Sequence, residues 1–308
     1  MTRSTERPRT PGLVRMTVRK VRKTLKRRRA GGALAYLRLR NGVARDAVTG
    51  TADVVVSLTS YGDRIHSVAV AIESIGRGTV KPRRLILWLD SRELFEARPE
   101  SLARLERRGL EVKLTSNYGP HTKYFPFVQS VEGHTARLVT ADDDIIYPRN
   151  WLALLLDASR RHPDAISGHW VSVMGISDGA VAEYGTWPRA KDTAVRPTNF
   201  APGVSGVIYP PAMLDELRRR GDGFLSACPG ADDIWLHWVA LRAGIPVRQV
   251  RSAPRHFPII PGSQGQALMK TNVGENRNDH WIRGLYTAQD VAALSATTAG
   301  LQLNQRGR

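Results

Sequence analysis

The sequence predicts an α/β fold, with a mostly parallel central sheet flanked by helices. Three observations lead there. Asp53–Thr59 and Arg84–Leu89 are continuous apolar runs, as expected of strands buried on both faces of a parallel sheet. Segments of helical length and spacing alternate with them, the pattern of repeated strand–helix–strand units. Glycines at 76, 78 and 109 stand where those helices should end. The 308 residues are enough for one or two domains of this kind.

Element by element, the strand at 53–59 is followed by a helix over Ile65–Ile75. The second strand, 84–89, stops at Asp90. A helix over Leu94–Arg108 is closed by Gly109, and a third strand covers Leu110–Leu114. Phe125–Val131 reads as helical, Ala136–Thr140 as the fourth strand, and Trp151–Arg161 as a helix. The second half is less regular: a strand near Ile166–Val171, then a loop-rich stretch with Trp187, Pro188 and Pro197. Val207–Tyr209 follows as a strand, with helices from Pro211 and over Asp232–Ala243 and a strand over Pro246–Val250. No repeat of 20–50 residues is visible. The expected organisation is a basic arm at 1–50, a globular domain at 51–290 and a polar tail at 291–308.

The net charge of +18 is concentrated in the arm, where fifteen Lys/Arg face only Glu6 and Asp46. Val14, Val18, Val21 and Leu25 recur on one helical face, with Arg15, Arg19, Arg22, Lys23 and Lys26 around them. Such a helix suits an anionic membrane surface. A solvated basic tail and nonspecific phosphate binding are the alternatives. No aromatic residues interleave the charges to stack bases, so no nucleic acid partner is expected. Ala30–Leu37 is only weakly apolar and Arg38 and Arg40 cut it short, which argues against a signal peptide. No run approaches the ~20 apolar residues of a spanning helix. Cys228 is the single cysteine, excluding a disulfide framework or a multi-cysteine metal site. The expected location is cytoplasmic, peripheral on the inner face of the cytoplasmic membrane.

The chemistry-bearing residues cluster at predicted strand ends. Asp142, Asp143 and Asp144 directly follow the fourth strand, at the sheet edge where open α/β folds bind ligands. Adjacent carboxylates repel, so a cation is needed among them, and hard oxygen ligands suit Mg2+ or Mn2+ gripping a diphosphate. A solvated turn capping the next helix is the structural alternative. Asp232 and Asp233 open a later helix, where Asp is also a routine cap. Taken with the first cluster, they provide a carboxylate to abstract a proton. Lys123 can contact a base or phosphate, and His256 is a candidate metal ligand. No glycine-rich dinucleotide loop or Walker sequence follows the first strand, and no hydrolase elbow is present.

The chain resembles the GT-A-fold glycosyltransferases, in particular inverting, family-two-like bacterial enzymes that build surface polysaccharides. The residues that carry the resemblance are Val56-Ser-Leu-Thr-Ser-Tyr61 with Arg64-Ile65, Lys81-Pro-Arg-Arg-Leu-Ile-Leu-Trp-Leu-Asp90 and Lys123-Tyr124. Thr140-Ala-Asp-Asp-Asp-Ile-Ile-Tyr-Pro148, Gly203-Val-Ser-Gly-Val-Ile-Tyr-Pro-Pro211 and Ala231-Asp-Asp-Ile-Trp-Leu236 continue it in the family's order, within about residues 53–280. The resemblance implies a Rossmann-like GT-A fold and a UDP- or GDP-sugar donor embraced by Thr59, Ser60, Tyr61, Arg64, Asp90 and Lys123. It implies that Asp142 and Asp144 form the Asp-x-Asp pair, Asp142 on the ribose and metal side, Asp144 on the metal, with Asp143 in the same loop. His256 stands where a C-terminal metal ligand is expected, and His280 competes for that role. Gly203, Ser205 and Gly206 would line the sugar pocket. Asp233 matches the family's base, and Asp232, where the family carries Glu, is the neighbouring alternative. The implied acceptor is a hydroxyl of a glycan or lipid-linked molecule.

Two other classes remain open on sequence. A carboxylate–metal phosphotransferase or nuclease would use the same acids, yet it should line the globular body with basic residues. A non-catalytic nucleotide-sugar-binding module would carry the acids as surface caps.

Overall fold

The computed structural model describes residues 13–263 and 277–296, with side chains from residue 28 onward. Its elements are α1 (Leu13–Val43), β1 (Ala52–Thr59), α2 (Val68–Gly76), β2 (Pro82–Leu89), α3 (Arg92–Glu96), α4 (Glu100–Glu106), β3 (Leu110–Leu114), α5 (Phe125–Gln129), β4 (Arg137–Thr140) and α6 (Trp151–Arg161). They continue as β5 (Ile166–Gly168), β6 (Ser172–Val173), β7 (Ile176–Ser177), β8 (Ala180–Val181), β9 (Asn199–Phe200), β10 (Val207–Tyr209), α7 (Pro211–Arg220), α8 (Phe224–Ala227), α9 (Asp232–Arg242), β11 (Val247–Gln249) and α10 (Arg277–Leu285). A further helix, α11, covers residues 288–296.

Seven strands form the central sheet in the order β11-β5-β10-β4-β1-β2-β3. All pairings are parallel except those of β10, which runs antiparallel to both β4 and β5. The chain builds outward from β1 to β2 and β3, then returns to place β4 on the other side of β1. The carboxyl ends of β1 and β4 therefore flank the point where the strand order reverses, the crevice that binds ligands in open sheets.

Alternation along the strands divides the core into two layers. Val54, Val56 and Leu58 join Leu85, Leu87, Val139 and Ile208 against α2, α4 and α6. Val55, Ile86, Trp88 and Leu138 face the other way, against α5, α7, α9 and α10. Each such fully buried aliphatic side chain contributes about 1.5–3 kcal/mol. The arm's helix forms a further layer: Leu37 is buried against Val70, Ala71, Ile146 and Ile260. Arg40 pairs with buried Glu73 at 2.7 Å, and Asn41 donates to the Ser101 carbonyl at 3.0 Å.

Three segments differ from the sequence reading. The helix expected over 94–108 is two helices, because Pro99 cannot supply a backbone donor and drives Arg98 out of the helical region. The one expected over 65–75 is a 3-10 turn, Gly62–His66, followed by α2. Ordered packing runs past residue 290: Val291 and Leu294 of α11 are buried, and Asp290 pairs with Arg242. The side chains of the Val14–Leu25 stripe lie outside the described residues. Among the described residues, no helix is long and apolar enough to cross a membrane.

Candidate active site

The acidic loop after β4 and the loop after β1 are joined directly. Ser60 Oγ donates to Asp143 Oδ2 at 2.7 Å, and the Arg64 guanidinium reaches Asp143 Oδ1 at 2.6 Å and Asp144 Oδ2 at 3.1 Å. Arg64 comes from the 3-10 turn just beyond β1, and its guanidinium also lies 5.4 Å from the Tyr61 ring centroid. Burial raises the Asp143 carboxyl to about 6, against the opposing pull of Arg64 and Ser60. Asp142 is pushed upward by burial too, with Lys123 pulling the other way. The Asp142 N–H donates to the Tyr147 hydroxyl at 2.7 Å, fixing the start of the loop.

Lys123 is the second cation. It ends the 3-10 turn Gly119–Lys123, and its carbonyl accepts from Ser57 Oγ of β1 at 2.7 Å. Ser57 in turn accepts from Trp88 Nε1 of β2 at 2.9 Å. The lysine Nζ lies 3.4 Å from Asp142 Oδ1 and 3.3 Å from Asp232 Oδ2. Burial alone would discharge this ammonium, but Asp232, Asp142 and Asp233 outweigh it and hold its pKa well above the ordinary lysine value.

Asp232 and Asp233 occupy the first turn of α9. Asp233 Oδ1 accepts the Gly203 N–H at 2.7 Å. Burial, followed by the neighbouring Asp232 charge, raises Asp233 to about 8, with Lys123 opposing. A Cβ on Gly203 would sit 3.1 Å from Asp233 Oδ1 and 3.2 Å from Lys123 Nζ, so the bare backbone is what lets this loop approach both.

The expected site residues thus separate into two groups. Ser60, Arg64, Lys123, Asp142, Asp143, Asp144, Gly203, Asp232 and Asp233 form one connected network, with Tyr61 against Arg64. The others are placed differently. Thr59 Oγ1 donates to the Trp88 carbonyl at 3.1 Å. Asp90 stands at the same sheet edge one strand over, outside the network's bonds. Ser205 is fully buried and its carbonyl accepts from Trp151 Nε1 at 2.8 Å. Gly206, with φ of 96°, lies where a Cβ would stand 2.6 Å from the Trp151 ring. Both pack against α6 through Trp151.

His256 belongs to the segment that returns beside the acidic loop, where Ile259 bridges to Ile145. Its Nδ1 is 2.9 Å from the Phe257 carbonyl and its ring packs edge-on to Trp170 at 5.6 Å. His280 is exposed on α10. Among the described residues, no group of three or more His, Cys, Asp or Glu comes together as a metal cluster. Asp142 and Asp144 nevertheless offer the hard oxygen donors that suit Mg2+ or Mn2+, which bind through one or two carboxylates plus substrate phosphates.

The sequence reading missed Tyr147 and Tyr184. Tyr147 lies inside the acidic motif, where its hydroxyl could have been matched to a backbone donor. Tyr184 lies in the irregular second half, and only folding shows its hydroxyl to be within electrostatic range of Asp233, Arg189 and Asp232.

No protein-family description and no curated protein matches the sequence. Solved structures similar to the chain include GalNAc-T7 with UDP, GalNAc and Mn2+, at 14% identity over 74% of this chain and 49% of that one, TM-score 0.47. TarS of S. aureus in complex with UDP shares 13% identity over 66% of this chain and 59% of that one, TM-score 0.44. The mannosyltransferase PcManGT from Pyrobaculum calidifontis, in complex with GDP-Man and Mn2+, shares 14% over 91% and 86%, TM-score 0.41.

Proposed function

We propose that the chain is a GT-A-type glycosyltransferase that moves a sugar from a UDP- or GDP-sugar to a hydroxyl of a glycan or lipid-linked acceptor, with inversion. The observation that carries this reading is the convergence of two carboxylate groups, Asp142–Asp144 and Asp232–Asp233, around Lys123 at the strand-order reversal. One group with its cations suits a diphosphate, and the other suits a proton.

Asp142 and Asp144 would hold Mg2+ or Mn2+, which supplies neutralising charge to the leaving diphosphate. Lys123 and Arg64 add positive charge on the same side of the crevice, and Ser60 and Tyr61 complete the wall from β1. Asp233 is the base: it removes the acceptor hydroxyl proton as that oxygen attacks the anomeric carbon opposite the leaving group. One displacement forms the glycosidic bond and breaks the bond to the diphosphate. Gly203 holds Asp233 in place through its amide, and Asp232 stays tied to Lys123.

The arm docks the enzyme on the anionic inner face of the cytoplasmic membrane, where a lipid-linked acceptor is met. Supporting this, Tyr36, Leu39 and Val43 are 51%, 66% and 68% exposed at spacings of three and four on α1. Arg28, Arg29, Arg38 and Arg45 are exposed near them.

Calorimetric titration of UDP and GDP, followed by assay of nucleoside diphosphate release from the matching sugar donors, tests the reading. Absence of nucleotide binding under all metal conditions overturns it. The nuclease reading has one discriminating measurement, release of nucleotides from RNA or DNA, which should be nil.

A further inference from the structure

We infer that Trp170, Arg189, Arg251 and Arg255, at the sheet edge that carries Asp142–Asp144, form the acceptor side of the site and receive an acceptor that carries an anionic group, a phosphate or a carboxylate. The inference rests on the glycosyl-transfer reading above and adds the charge of the second substrate.

β5 runs in the same direction as β4, so Gly168, His169 and Trp170 emerge at the edge that carries Asp142–Asp144. Two further segments are brought to Trp170 by one buried side chain. Gln249, with no exposed surface, accepts the Val171 N–H at 3.2 Å and donates to the Ala190 carbonyl at 3.2 Å and the Arg251 carbonyl at 2.6 Å. Arg189 is thereby laid against the indole, its guanidinium carbon 4.0 Å from the Trp170 ring centroid. Arg255 is positioned by its own N–H, which donates to the His169 carbonyl at 2.8 Å. A buried amide satisfying three chain segments is a built arrangement rather than a chance meeting of surface side chains.

The charge on this face is uncompensated. Arg189, Arg251 and Arg255 are exposed, and among the described residues none pairs with a carboxylate. Asp192, close in sequence to Arg189, is taken by Arg196 at 2.7 Å. The field of Arg251 and Arg255 reaches buried His169, where it adds to burial in disfavouring the imidazolium. Such a group of like charges invites an anion, and guanidinium forks match phosphate and carboxylate oxygens. Backbone pairing links the face to the base's loop: Ser172 pairs with Arg189 on one side and with Phe200 on the other, and Phe200 stands three residues before Gly203, whose N–H donates to Asp233. An acceptor anchored there by its anionic group presents a hydroxyl toward Asp233.

The test is saturation-transfer NMR and titration on the full chain at low salt with glucose 1-phosphate, glucuronic acid and methyl glucoside. Both anionic sugars should bind and the neutral one should not. Preference for one of the two anions identifies phosphate or carboxylate as the group recognised. Arg189→Ala and, separately, Arg255→Gln should each weaken anionic-sugar binding about tenfold, or 1.4 kcal/mol, leaving nucleoside diphosphate affinity within twofold. Asp144→Ala should do the reverse, which separates this face from the donor pocket. Equal binding of neutral and anionic sugars, no binding of either anion, or no effect in both folded arginine variants overturns the inference. A chain that binds the anionic sugars but no nucleoside diphosphate would instead overturn the donor reading.

Discussion

Ser60 Oγ donates a 2.7 Å hydrogen bond to Asp143 Oδ2, and this one contact ties the ends of β1 and β4 across the crevice. Asp143 accordingly acts within the protein: its two oxygens are committed to Ser60 and Arg64, whereas Asp142 and Asp144 on either side remain the candidates for ligand oxygen chemistry.

Ser60→Ala should therefore destabilise the fold and loosen the donor pocket together. A hydrogen bond to a charged group contributes about 1.5–3 kcal/mol. Urea unfolding should show a loss in that range, with an unchanged slope, and nucleoside diphosphate affinity should fall alongside. Full stability in the variant would mean that the contact holds nothing.

Donor affinity should depend on a divalent ion through Asp142 and Asp144. Titration of UDP or GDP should show at least tenfold tighter binding in Mg2+ or Mn2+ than in chelator. Asp144→Ala should abolish that difference. Identical affinities in the two buffers would remove the ion from the reading.

Asp233 predicts a rate that rises with pH, because a carboxyl raised to about 8 is protonated, and useless as a base, at lower pH. Its sign for stability is the opposite. The folded-state pKa lies above the unfolded value, so this group's contribution is fully present below the unfolded pKa and fades as pH rises toward 8. Asp233→Asn should thus lose at least a hundredfold in turnover, keep its nucleoside diphosphate affinity, and gain in relative melting temperature between pH 4 and 8. If Asp232→Asn is the inactive variant and Asp233→Asn turns over normally, the base is the neighbouring residue.

The membrane reading is checked by co-sedimentation with anionic vesicles. Truncation at Thr51 would strip Leu37 and Val48 from the core, so the comparison uses a chain beginning at Gly31. The full chain should pellet at low salt and release at high salt as the charges are screened. The shortened chain, which loses twelve of the arm's fifteen basic residues, should pellet much less and still bind nucleotide. Equal sedimentation of the two excludes residues 1–30 as the anchor.

How far the sequence reads ahead depends on the range of the interaction. β1 and β2 were visible because both faces are buried, so their apolar runs are unbroken. The Asp142–Asp144 and Asp232–Asp233 groups were visible because each sits at the boundary of an element. Pairings between distant segments leave no such local mark. Nothing around Arg64 announces that it will bridge Asp143 and Asp144, and nothing around Gln249 announces that it will join three segments. At Ser205 and Gly206 the resemblance implied a sugar pocket, and the fold adds a demand that the sequence does not announce: room beside the Trp151 indole and a backbone with positive φ. The packing of α11 was likewise hidden, since two buried apolar residues, Val291 and Leu294, among small and polar ones form too sparse a stripe to read.

Lys123 is shared between Asp142, at a strand end, and Asp232, at a helix start. On the proposed reading, the consequence is that the donor-side and base-side carboxylates depend on one cation. A diphosphate arriving beside Asp142 would compete for the ammonium that holds the Asp233 carboxyl down. The pH at which the base becomes active then belongs to the whole cluster and shifts with occupancy, as coupled titrations do. On the proposed reading, drawing that ammonium toward the donor raises the Asp233 carboxyl further, so the pH at which transfer begins moves upward when the donor end is filled.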